Sequence, residues 1–139
     1  AAPPGVIPAA AVAKAGAAAP ARPPEKVIAR LDGSVFRSGS AELQPAAAPG
    51  LAAAGEFIAA HPTARVRIVG HTDASGDDAR NLELSSRRAA AVRDYLAVRF
   101  DLPQGRLLAE GRGELEPIAG NDTLAGRQAN RRVEIYVRP

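Results

Sequence analysis

Cysteine is absent from this 139-residue chain, and so are methionine and tryptophan. The lack of cysteine removes disulfides, thiolate zinc sites and thiol catalysis together, without choosing a compartment. Aromatic residues make up 4% of the chain, which leaves little on which to stack nucleobases. The 18 basic residues are scattered among 15 acidic ones for a net charge of +3, with no basic patch, so a nucleic-acid partner is not expected. No stretch approaches the ~20 consecutive apolar residues that a membrane span requires. A secretory signal is also not apparent, because the front of the chain has neither a basic start nor a continuous Leu/Val/Ile run. The chain does not open with Met, which fits a processed or excised piece.

What is present divides the chain in two. Residues 1–24 are almost all Ala, Pro and Gly, with prolines at positions 3, 4, 8, 20, 23 and 24. These prolines interrupt any helix the alanines would start, so the segment is expected to be an Ala/Pro-rich tether. At ~3 Å per residue such a chain would reach up to roughly 70 Å. Residues 25–139, about 115 in number, are enough for one domain with a modest core.

Four segments of this second part read as strands: Lys26–Leu31, Arg65–Gly70, Arg106–Gly113 and Arg131–Val137. The last is the clearest, with Val133, Ile135 and Val137 pointing one way and Arg132, Glu134 and Tyr136 the other, as expected of a sheet with one buried face. Asp32-Gly33 is a turn signal, and "SVF" after it looks like a return strand. Helices are expected from about Pro45 to Ala60, ended by His61-Pro62, and from about Asn81 to Arg99. A short helical turn is expected near Leu124–Gln128. The fold class that follows is α+β: a β-α-β-α-β-β two-layer sandwich, with helices on one face of a mixed four-stranded sheet.

The second helix holds an anomaly. With ~100° per residue and Val92 at zero, Leu96 and Ala89 fall at roughly +40° and +60°, and Tyr95 and Leu84 at about −60° and −80°. Arg88 falls at about −40°, inside that apolar stripe. A guanidinium there must snorkel to the rim or meet an anion, because an unpaired buried charge is costly. Asp73 follows the strand that leads into this helix, at a strand–loop–helix junction where ligands tend to lie. Asp73 and Arg88 are therefore expected to face each other across one cleft. Two plainer possibilities stand beside this: a structural Asp73–Arg88 salt bridge, or an Asx-turn closed by Asp73.

Other chemistries fit less well. Asp73, Ser75 and Asp77 match the first three ligand positions of an EF-hand loop, but Gly76 comes two places early and Leu84 stands where a bidentate Glu is needed. His61 and His71 have no third ligand spaced for zinc, so no metal site is expected, and His71 is read as a residue that fixes the loop. Glu110, Glu114 and Glu116 lack a neighbouring nucleophile, so an enzyme is not expected.

Four blocks in order, "VFRSGSAEL", "IVGHTDASG", "NLELSSRRAAAVRDYL" and "GRGELEPIAGNDTLAGRQANRRVEI", make the chain resemble the OmpA-like C-terminal domain, as found in outer-membrane protein A and peptidoglycan-associated lipoproteins. The resemblance covers about Val27 to Val137. It implies non-covalent binding of peptidoglycan through the meso-diaminopimelate of the stem peptide, anchoring an outer membrane or envelope complex to the wall. Asp73 would take the ammonium of that amino acid and Arg88 its carboxylate. Thr72 and Asn81 would hold the stem backbone, and Arg131 would lie beside the pocket. No cofactor is implied. Membrane attachment would come only through an anchor or barrel preceding Ala1, on the periplasmic side of a Gram-negative outer membrane. Envelope proteins and a second copy of the chain are left open as partners, and a protein-docking module using the same cleft is the alternative function. The sequence departs from the family pattern where Phe36 is followed by Arg37, Ser38 and Gly39, so ligand contacts from that loop are left open.

Overall fold

In the computed structural model, residues 25–138 are described; the tether expected over residues 1–24 lies outside them. Four strands are present among the described residues: β1 (Lys26–Asp32), β2 (Arg65–His71), β3 (Leu107–Gly113) and β4 (Arg132–Arg138). They form one sheet in the order β1-β4-β2-β3, with β2 and β3 parallel and β4 antiparallel to both β1 and β2. Three helices complete the α+β arrangement: α1 (Ala48–Ala60), α2 (Asp78–Arg99) and the short α3 (Leu124–Asn130). The expected element order is observed. "SVF" is the correction: Gly33–Val35 is a 3₁₀ turn, and only Phe36 makes a bridge, to Leu43. Asp32 caps that turn by accepting the Ser34 N–H, so the chain bends away from β1 before it can pair with it.

One face of the sheet carries the apolar core. Leu31, Val66, Ile68, Val133, Ile135 and Val137 meet Leu51, Ala54 and Ile58 of α1 and Ala89, Val92 and Leu96 of α2. Full burial of each large aliphatic side chain contributes about 1.5–3 kcal/mol before entropy is counted. Helix α2 crosses β2 and β3 where Gly70 and Gly111 sit side by side in register. A Cβ on Gly70 would lie 2.2 Å from the Ser85 carbonyl oxygen, and one on Gly111 2.4 Å from the Ser86 nitrogen. The two glycines therefore form a floor on which the helix backbone rests. This close approach sets the height of Arg88, one turn along α2.

The other face corrects a second expectation, since Arg132 and Glu134 are buried as well. Glu134 accepts from Arg30 Nε at 2.8 Å, Arg132 Nε at 3.0 Å and the Tyr136 hydroxyl at 2.8 Å, with His71 Nε2 3.4 Å away. Alongside, Arg67 spans Glu25 at 2.8 Å and Glu110 at 3.3 Å and lies over the Tyr136 ring. Long side chains thus cover this face through mutual pairing. Burial pushes the Glu134 carboxyl up, but His71, Tyr136 and Arg132 outweigh it and hold it well below its ordinary value. Its contribution to stability is present above the unfolded carboxyl value near ~4.3 and is lost as pH falls below it.

Tyr136 moves in the opposite direction. Burial and then the Glu134 carboxylate push its phenol up to about 12. A raised phenol keeps its full stabilising effect below the unfolded value near ~10 and loses it as pH rises from there towards the folded one. The urea midpoint of the protein is expected to fall across this interval, and that of Tyr136→Phe to fall distinctly less. Parallel curves for the two proteins would refute this assignment.

Candidate ligand-binding site

The loop between β2 and α2 is assembled from short polar side chains that satisfy its own backbone. Asp73 Oδ1 accepts both the Ser75 N–H at 2.8 Å and the Ser75 hydroxyl at 2.6 Å, so the Asx-turn is present. Thr72 is buried; its hydroxyl donates to the Asp73 carbonyl at 2.9 Å and its N–H to the Gly113 carbonyl at 2.8 Å. Asn81 Nδ2 donates to the Ser75 carbonyl at 2.8 Å, with the Asp73 carbonyl and Glu114 Oε1 both at 3.4 Å. Asp77 caps α2 by accepting the Arg80 N–H at 3.0 Å, so the helix begins three residues earlier than the sequence suggests. In this structure Thr72 and Asn81 act on the loop itself.

A second brace comes from α3 and its approach. Asn121 Oδ1 accepts the Ala74 N–H at 3.0 Å and the Asn130 amide at 3.1 Å. Fully buried Asn130 also accepts the N–H groups of Ile118 and Ala119 and donates to the Ala119 carbonyl. These contacts tie the Asp73 loop to the segment that delivers Arg131. The Arg131 carbonyl, in turn, accepts the Gly33 N–H at 2.7 Å.

Asp73 Oδ2 pairs with the Arg131 guanidinium, and no Asp73–Arg88 ion pair exists among the described residues. The structural Asp73–Arg88 salt bridge considered from sequence is therefore not made; Asp73 pairs with Arg131 instead. Burial pushes the Asp73 carboxyl up, while the Ser75 hydrogen bonds and Arg131 outweigh that and hold it below its ordinary value.

Arg88 is only 6% exposed, on the packed side of α2, as its projection suggested. Its Nε donates to the Ser40 carbonyl at 2.8 Å, and its guanidinium lies 4.9 Å over the Phe36 ring. Among the described residues no carboxylate lies within ion-pair distance of it. Burial, and secondarily the charge of Arg131, pushes its guanidinium below the ordinary value.

A hollow of about 700 Å³ opens beside it, lined by Arg88, Arg131, Asp32, Phe36, Gly39 and Gln128, with Ser34 and Ser38 at its edge. That volume is in the range of about 300–1,000 Å³ common for small-molecule sites. Arg88 and Arg131 thus share one cavity, whereas Asp73 does not line it and touches it only through its pair with Arg131, so the expected direct facing of Asp73 and Arg88 across one cleft is not observed. Asp32, Ser34, Ser38 and Gln128 were not among the sequence candidates. Asp32 carried a signal, as half of a turn dipeptide, but its turn role masked its place at the cavity wall. The Phe36–Gly39 loop, left open from sequence, lines the cavity.

A family model described as the OmpA family matches residues 35–131. The chain belongs to the OmpA family. Outer membrane porin F of Pseudomonas aeruginosa is 46% identical over 82 residues, which is 59% of this chain and 23% of that protein. Peptidoglycan-binding protein ArfA of Mycobacterium tuberculosis is 41% identical over 102 residues, 73% of this chain and 31% of that protein. The chain thus spans about a quarter to a third of these OmpA-family relatives. Among solved structures, the cell wall anchor of the T6SS from Pseudomonas aeruginosa superposes with a TM-score of 0.72 at 33% identity, covering 82% of this chain and 81% of that one. The OmpA-family α+β fold is therefore shared well beyond the matched motifs.

Proposed function

We propose that this chain is a non-catalytic peptidoglycan-binding module. Its hollow takes the zwitterionic end of the stem-peptide diaminopimelate, with the carboxylate on Arg88 and the ammonium on Asp73, which lies behind Arg131 at the back of the hollow. The observation that carries this reading is the buried Arg88 guanidinium, which opens on a cavity and, among the described residues, has no carboxylate within ion-pair distance. An arginine fork holds a carboxylate through two parallel hydrogen bonds, which lysine cannot do. Two similar proteins, one a peptidoglycan-binding protein and the other a cell wall anchor, support the same ligand class. The outer-membrane relative supports a place at the cell envelope, and the periplasmic side is part of the proposal.

Desolvation offsets much of the Coulomb gain at such a site, so each stem is bound with micromolar to millimolar affinity. Repeated stems in the wall then raise the overall hold through avidity. The test is co-sedimentation with purified peptidoglycan in the presence of free diaminopimelate. The amino acid is expected to displace the protein, and no soluble muropeptides should appear. Binding that persists at saturating diaminopimelate sinks the stem-peptide reading, and released muropeptides would mean an enzyme.

A further inference from the structure

In this structure, the place beside Asp73 Oδ2 that a ligand ammonium needs is taken by the Arg131 guanidinium. An incoming ammonium would put two cations on one buried carboxylate, with the Arg88 charge close by. Like charges at that separation disfavour the arrangement, so Arg131 has to leave. Its backbone is pinned, because its carbonyl accepts the Gly33 N–H, and only the side chain is free to swing. Across the same cavity wall stands Asp32, an exposed acid. Its Oδ1 accepts the Ser34 N–H, and it forms no ion pair among the described residues. Gly33 and Arg131 approach so closely that a Cβ on the glycine would lie 2.9 Å from the Arg131 Cβ, which keeps Asp32 within reach of the swinging guanidinium.

We infer that Arg131 changes partners when ligand binds, passing from Asp73 to Asp32, and that Asp32 is thereby a specificity-determining residue of the hollow. The inference rests on the reading given under Proposed function. In the occupied state every charge has one partner: ligand carboxylate with Arg88, ligand ammonium with Asp73, and Arg131 with Asp32. A dicarboxylate without an amine has no means of dislodging Arg131 and engages Arg88 alone. The hollow therefore selects zwitterionic side arms over plain acids, and Asp32 sets how strongly.

Calorimetric titration with diaminopimelate and with pimelate, the same carbon chain without amines, tests this on the protein, Asp32→Asn, Arg131→Gln and the double variant. Asparagine retains an oxygen for the Ser34 N–H, and urea midpoints check that each variant folds. Asp32→Asn is expected to lower the diaminopimelate-to-pimelate affinity ratio by about five- to tenfold when Arg131 is present, and by less than twofold in Arg131→Gln, as coupled neighbours should. An Asp32→Asn effect that persists without Arg131 would mean that Asp32 meets the ligand directly, and overturns the exchange. An unchanged ratio in the single variant overturns it too. Arg88→Gln separates the two levels: if it loses both ligands while the ratios fail, the binding site stands and only the exchange falls. Failure of the wild-type protein to bind either ligand removes both.

Discussion

Arg88→Leu is expected to abolish sedimentation with peptidoglycan while leaving the urea midpoint equal to or above that of the wild-type protein. Losing one partner of a desolvated charge pair costs about 2–5 kcal/mol of binding. For a per-stem affinity already in the micromolar-to-millimolar range, that loss puts the variant below detection. The stability half of the expectation comes from the same geometry. Arg88 is buried with one hydrogen bond to the Ser40 carbonyl, a ring contact with Phe36 and, among the described residues, no carboxylate partner. Its desolvation is therefore only partly compensated in the free protein, and an apolar side chain in its place is expected to be neutral or favourable. A variant that still sediments with the wall contradicts the binding assignment. One that binds nothing but unfolds at a much lower urea concentration would show that Arg88 is structural.

Gly70→Ala is expected to destabilise the fold by about 3 kcal/mol, near the upper end of what overpacking costs. The added methyl would stand 2.2 Å from the Ser85 carbonyl oxygen and 3.0 Å from its carbon, and neither can rotate away. Helix α2 has to lift from the sheet, which loosens the packing of Ala89 and Val92 and tilts Arg88 out of its hollow. Stability and wall binding should therefore fall together in this variant, unlike in Arg88→Leu. Urea unfolding with a parallel sedimentation assay checks it. A native-like midpoint would mean that the helix does not rest on the glycine floor.

Much of the fold was legible because two periodicities are clean. The alternation in β4 and the apolar face of α2 mark their elements to within a few residues, and Arg88 stood out because it breaks the helix pattern. Ser85 was not legible, since a small polar residue facing a glycine leaves no hydrophobic signal. The open face of the sheet was misread for a related reason. Arg132 and Glu134 alternate like solvent-facing residues, yet they are covered by partners from β1 and β2 that no local pattern reveals. The partner of Asp73 was also beyond sequence pattern. Arg131 lies 58 residues away, and its approach depends on the Asn121–Asn130 brace and on the pairing of β1 with β4.

The antiparallel pairing of β1 with β4 has a mechanical consequence. Strand β1 runs from Lys26, at the end of the sheet away from the hollow, to Asp32 at its wall. If, as proposed, the wall grips the hollow, any tension applied ahead of Lys26 would pull along the length of β1. The hydrogen bonds to β4 then carry the load in shear, all together, instead of being unzipped one by one. Under the proposed wall binding, this geometry would let the domain hold fast against a pull from its N-terminal side.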